Sequence, residues 1–299
     1  MSMLWAEMTS SEIFMLLIHY CKDTAAGTVF IISDKGLVFV SVDGGAGNDS
    51  ISSFSSWSTI GGGEGDDIIT NYYADHVLMT GGAGSDSLNN YGEHVTIDGG
   101  DDSSRINNYA SNVYINCTGS ANDTIYSSDN LIYVTILGGA GSDSINNASS
   151  WSGALSGAGG DYIYSSSLAS NVYFDGGDSN DTINNYSAWA TLTGGNGDDS
   201  IRTNVQNTTI LYSKYQGNDT IRIRADNNTI YLTDVSLDDI QSISNSSSWS
   251  SGSYSITFTS SNVLKVDWKS SFNNYDHTVK FSDGKDYTYD RSSKSFVEK

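Results

Sequence analysis

The eight residues GGAGSDSI, Gly138 to Ile145, decide how this chain is read. Near-copies recur as GGAGNDSI from Gly44, GGEGDDII from Gly62, GGAGSDSL from Gly81 and GGNGDDSI from Gly194. One glycine-rich loop says little, but a recurring one is an architecture. Outward from each loop, an aliphatic falls at Ile51, Ile69, Leu88, Ile106, Ile125, Ile145, Ile163, Ile183, Ile201 and Ile221, at spacings of 18 to 20 residues. A repeat of about nineteen therefore runs through the middle of the chain.

Each repeat holds two short strands. In GGAGSDSLNNYGEHVTIDGG the loop leads to a strand around Leu88, a polar turn, and a second strand in which Val95 and Ile97 alternate with Thr96. Alternation of period two puts the apolar pair on one face. A single coil cannot bury so thin a stripe, whereas stacked coils at ~4.8 Å can. The fold class read from the pattern is all-β, a right-handed parallel β-roll or β-solenoid of about ten coils with the glycine loops on one edge. Small polar residues form a column in the opposite turn: Ser53, Asn71, Asn90, Asn108, Ser127, Asn147, Ser165, Asn185 and Thr203. Phe54, Tyr72, Tyr91, Tyr109 and Tyr186 follow them as a partial aromatic column, with structural stacking favoured over a sugar platform.

Charge points the same way. The net charge is −21, and 19 carboxylates between Gly44 and Ile201 face a single cation, Arg105. Such a stretch repels itself unless something positive binds it, and it argues against nucleic acid and anionic membranes as partners. Proline is absent, which suits long ladders that need every N–H. The two cysteines, Cys21 and Cys117, make no disulfide framework. The run IFMLLI, Ile13 to Ile18, is far shorter than the ~20 residues of a membrane span and lacks a basic leader, so a removable signal is not expected.

The loop chemistry is that of a hard cation. Glycines at positions one, two and four permit positive φ and close approach of carbonyls, and the aspartate at position six adds a carboxylate. Oxygen ligands without nitrogen or sulfur suit calcium, which accepts six to eight of them. GGAGNDSI, GGAGSDSI and GGNGDDSI resemble the nonapeptide of haemolysin-type (RTX) calcium-binding proteins, over about residues 43 to 222. The usual roll of that family has such loops at both ends of a coil. Here one turn per coil keeps the motif, so the resemblance implies a one-sided ladder of several calcium ions.

Carried over by position, the intact loops supply Gly44, Gly45, Gly47 and Asp49; Gly62, Gly63, Gly65 and Asp67; and Gly81, Gly82, Gly84 and Asp86. Gly138, Gly139, Gly141 and Asp143, and Gly194, Gly195, Gly197 and Asp199, complete that set. Weakened loops contribute Asp123, then Gly157, Gly159 and Asp161, then Asp181 and Asp219. The best sites are expected between the loops at Gly44 and Gly62, Gly62 and Gly81, and Gly138 and Ser156. GGDDSSRI places Ser104 where aspartate belongs, and Arg105 beside it is expected to stand in for an ion and leave a gap.

Residues 1–42 read as an amino-terminal cap with a short helix in SSEIFMLLIHYCK followed by strands, and 223–299 as a β-rich cap that resembles the segment preceding an export signal in the family. No catalytic constellation is evident: His76 and His94 occupy a turn position held by Asn112 and Asn171 in other coils. The resemblance implies a non-enzymatic, secreted bacterial module at the cell surface or outside it, folding on extracellular calcium and serving structure or adhesion. Left open are an ice-binding or carbohydrate-binding solenoid and the carboxyl-terminal part of a secreted toxin or enzyme. The outer-face rows Ser50, Ser87, Thr124, Ser144, Thr182, Ser200 and Thr220, and Thr96, Tyr114, Thr135, Tyr173 and Thr191, motivate the ice alternative.

Overall fold

The computed structural model describes residues 20–22, 30–33, 37–117, 119–248, 251–269, 277–290 and 292–299. Successive strands alternate between two sheets, so that each coil contributes one strand to each. In the first sheet Ser41–Ala46, Thr59–Glu64 and Leu78–Ala83 pair in parallel, and the order continues without crossing to Thr229–Leu232 and Thr278–Lys280. In the second, Ser50–Ser53, Ile68–Asn71, Ser87–Asn90 and their successors stack as far as Val263–Lys269. The molecule is an all-β parallel solenoid.

The register reproduces the sequence period residue for residue. Ile51 lies against Ile69, Ile69 against Leu88, Leu88 against Ile106, and so on to Ile201 against Ile221. All are essentially fully buried, and they face Ile60, Met79, Ile97, Ile115 and Ile136 from the other sheet. A one-residue slip would turn every one of them to water, so the apolar alternation fixes the register. The polar column is equally ordered: Asn71 Nδ2 donates to Asn90 Oδ1 at 2.9 Å, and Asn90 Nδ2 to Asn108 Oδ1 at 3.0 Å. Each of these amides also donates to a carbonyl of its own turn, as Asn90 does to Gly92 at 2.8 Å. The aromatic column stacks beside it, with Tyr91 and Tyr109 centroids 4.8 Å apart.

Parallel stacking extends beyond residues 43 to 222 at both ends. Most of the expected amino-terminal helix lies outside the described residues, but its last residues, Tyr20–Lys22, form a strand paired in parallel with Ser41–Asp43. Phe30–Ser33 likewise pairs with Ser50–Ser53, so solenoid pairing begins before residue 43. At the other end parallel stacking continues past residue 222. It stops where Ser251–Phe258 and Ile240–Ser248 on one sheet, and Asp286–Asp290 and Ser295–Glu298 on the other, add antiparallel strands. These strands cover the last parallel edges, which would otherwise be open to another chain.

The corner opposite the glycine loops carries a left-handed residue at one aligned position per coil: Phe39, Trp57, His76, His94, Asn112, Tyr133, Trp151, Asn171, Trp189, Asn207 and Asn227, with φ between 52° and 61°, and Tyr73 and Asn130 add a second in two of the turns. Asparagine tolerates this conformation, whereas a bulky side chain pays roughly 1–2 kcal/mol for it.

Candidate metal centre

The glycine loops line up along one edge, and their three glycines serve two purposes. At positions two and four the backbone is left-handed, as at Gly63 (φ 116°) and Gly65 (φ 118°), and a Cβ there would strike the carbonyls of Gly45 and Gly47 in the preceding coil. The first glycine does not have positive φ, contrary to the expectation. Its hydrogen makes room instead for a carboxylate. A Cβ on Gly62 would meet Asp67 Oδ2 and the carbonyl oxygen of Gly81; on Gly138, Asp143 Oδ2 and the carbonyl of Ser156; on Gly44, Asp49 Oδ2 and the carbonyl of Gly62. Strand pairing skips this position, running from Asp43↔Gly61 directly to Gly45↔Gly63.

The position-six aspartates Asp49, Asp67, Asp86, Asp123, Asp143, Asp161, Asp181, Asp199 and Asp219 are all buried. Their Oδ1 atoms form a ladder. Asp67 Oδ1 accepts the backbone N–H of Asp49 at 2.7 Å, Asp86 that of Asp67 at 2.9 Å, and Asp143 that of Asp123 at 2.8 Å. The series continues through Asp161, Asp181, Asp199 and Asp219. The Oδ2 atoms of Asp67, Asp86, Asp123, Asp143, Asp181 and Asp199 are buried and receive no hydrogen bond. Carboxylate and carbonyl oxygens thus converge without a donor between them.

Electrostatics follows from this geometry. Burial pushes the carboxyl of Asp86 up to about 6, Asp143 to about 7, Asp181 to about 8 and Asp219 to about 7, and raises Asp67 as well. The N–H bonds at Oδ1 pull the other way, and neighbouring rungs of like charge add to the rise. Two occupants answer a donor-free pair of buried oxygens: a proton or a cation.

The fourth rung is built differently. Ser104 replaces the aspartate, and its hydroxyl donates to the carbonyl of Gly99 at 2.9 Å. Cys117, a free and buried cysteine, stands where the next coil has its first loop glycine, with Sγ 3.1 Å from where a Gly99 Cβ would be. Burial raises the Cys117 thiol far above its ordinary range, so it is a neutral filler. Arg105 is not the substitute it was expected to be. It precedes the inward Ile106 and, by alternation, projects from the outer face of the second sheet, exposed, in a shallow groove with Asn107, Tyr109 and Tyr126. Ser156 also replaces a first glycine and carries its own donor, bonding the Gly176 carbonyl at 2.6 Å.

Sequence reasoning missed two features. Gly176 plays the same part as Gly62, with Asp181 Oδ2 and the Gly194 carbonyl at its face, and its GGDSND loop signalled as much. Position five forms an outer ladder in the opposite sense: Asn48 Oδ1 accepts from Asp66 N–H at 3.0 Å, and Asp66 Oδ1 from Ser85 N–H at 2.8 Å. Among the described residues no three side chains of His, Cys, Asp or Glu converge. Each loop offers one inward carboxylate and backbone oxygen. No protein-family model matches the chain, and no curated protein sequence matches it.

Proposed function

We propose that the chain is a calcium-binding solenoid whose acidic edge takes up several ions and whose folding is completed by them. The observation that carries this reading is the repeated pairing of a buried, donor-free Asp Oδ2 with a glycine or serine carbonyl of the next coil. The donor set is all oxygen, which suits a hard divalent cation and not zinc or copper. Asp49, Asp67, Asp86, Asp143, Asp181 and Asp199, with the carbonyls of Gly62, Gly81, Ser156 and Gly194, are the residues that would hold the ions. Calcium supplies positive charge to a stretch, Gly44 to Ile201, in which 19 carboxylates stand against Arg105 alone, itself away from the loops.

Binding and folding are then linked, because the loops exist as oxygen cages only when coils stack. An acidic, glycine- and serine-rich chain that folds where calcium is at ~0.1–1 mM fits a secreted or surface module of the haemolysin type, structural or adhesive and not enzymatic. Circular dichroism at pH 7.5 during a calcium titration, with bound ion counted by calorimetry, tests it. The expected result is a β signal that grows with calcium and saturates at several ions per chain. A full β signal in chelator, unmoved by calcium, rejects it.

A further inference from the structure

We propose that the corner opposite the glycine loops, between Tyr133 and Trp189, is a binding platform for a neutral, extended β-1,4-linked polysaccharide lying along the solenoid axis. The first observation is strain with exposure. Tyr133, Trp151 and Trp189 sit in left-handed backbone at φ 57°, 52° and 56°, a conformation the same column elsewhere assigns to Asn112, Asn171, Asn207 and Asn227. These three rings are 56% to 63% exposed and have no ring neighbour among the described residues. Toward the amino terminus the column behaves differently: Trp57 stacks on His76 at 3.9 Å and His76 on His94 at 4.8 Å. Packing therefore does not account for Tyr133, Trp151 and Trp189. Backbone strain held at an exposed aromatic is a mark of a functional surface.

The second observation is rigidity and spacing. The N–H of Tyr133 donates to Ser150 O, that of Trp151 to Ser170 O and that of Asn171 to Ala188 O, at 3.1, 2.9 and 2.9 Å. The rings are thus carried on a bonded ladder, which lowers the ordering cost of binding. Trp151 and Trp189 stand two coils apart, roughly 9.6 Å at the spacing of paired strands. That is close to the two-sugar repeat of an extended β-1,4 chain, in which alternate sugars turn the same face to one side. Tyr133 adds a ring one coil earlier, Asn171 puts an amide between the tryptophans for the hydroxyl groups, and exposed Leu168 broadens the apolar floor.

The third observation is charge. From Asn130 to Thr193 the only charged residues are Asp143, Asp161, Asp175, Asp178 and Asp181, all on the glycine loops or the strands entering them. The aromatic corner of these coils carries one charge, Asp129 at the start of the turn before Tyr133, and none in the turns of Trp151 and Trp189. Its ligand is accordingly uncharged, and the acidic loops behind it repel an anionic polymer.

The test uses the full chain, folded in millimolar calcium, in pull-downs on cellulose, on chitin and on insoluble calcium alginate, a 1,4-linked polymer whose sugars carry carboxylates. Retention on cellulose or chitin but not on alginate is expected, and the two neutral polymers distinguish glucose from N-acetylglucosamine. The double variant Trp151→Asn, Trp189→Asn takes the residue the column already uses, so its melting temperature should hold or rise while retention falls at least tenfold. Trp151→Tyr with Trp189→Tyr keeps rings in place and should retain binding, as should Trp57→Asn outside the platform. No retention on either neutral polymer, or retention by the double asparagine variant equal to that of the wild type, overturns the proposal.

Discussion

The rung at Gly62–Asp67 and the rung at Gly99–Ser104 share the positive φ of the second glycine and part company at position six. In the first, Asp67 Oδ2 and the Gly81 carbonyl meet with no hydrogen between them; in the second, the Ser104 hydroxyl gives the Gly99 carbonyl its donor. Where the chain carries its own donor, the coil closes unaided. Where it does not, closure must import a proton or a cation, so the intact loops are the responsive ones. The gap in the ladder is thus a self-sufficient segment between two dependent ones.

The harshest way to break the comparison is to remove the glycine on which both kinds of rung rely. Gly63→Ala puts a Cβ against the Gly45 carbonyl in left-handed backbone, and should cost about 3 kcal/mol or more with or without calcium. Urea unfolding in calcium measures it, and a loss below ~1 kcal/mol would mean that the loops are looser than described.

Acidity should affect the two kinds of rung unequally. The raised carboxyls bind more protons folded than unfolded, so the calcium-free protein should lose stability as pH rises from about 4 through 8, the window set by Asp86, Asp143 and Asp181. Calcium should reverse the trend above pH 6, because it competes with those protons. Chelator-treated protein with a urea midpoint flat across that window would contradict the burial of charge.

Exchanging the rungs sharpens the contrast further. Asp143→Asn keeps an acceptor for Asp123 N–H and gives the Ser156 carbonyl an amide donor, so it should lower calcium stoichiometry by one or two while stabilising the chelated form. Ser104→Asp with Cys117→Gly should raise stoichiometry by a similar count. Calorimetry reads both, and unchanged counts in the pair would break the link between donor and ion. Smallest of all, Arg105→Ala should leave ion count unchanged and stability within ~0.5 kcal/mol.

The period, the register and the polar column were legible because each rests on a residue type with one dominant behaviour: buried Ile and Leu at 18 to 20 residues, and Asn with its two-sided amide. The inward aspartates were legible as ligand types, but not their division of labour, since Oδ1 and Oδ2 are separated only by the neighbouring coil. Arg105 misled because adjacency to Ser104 in sequence becomes opposition across a strand. The left-handed corner was hidden by tryptophan, which propensity places in extended strands, although Asn112 and Asn171 at the same position carried the hint. Beyond residue 222 the repeat decays in composition while pairing persists, because backbone ladders continue on any chain that can stay extended.

The Oδ1 ladder has a head and a tail. From Asp67 onward each inward carboxylate grips an amide of the coil before it, as Asp86 does that of Asp67. A cut between those coils would bare an anion on each piece: Asp86 on the carboxyl-terminal one and, because the outer ladder runs the other way, Asp66 on the amino-terminal one. Each freed carboxylate adds to a surface already overloaded with negative charge. The two ladders run head to tail past one another, so neither cut face is the milder one, and truncation from either end should cost the edge alike.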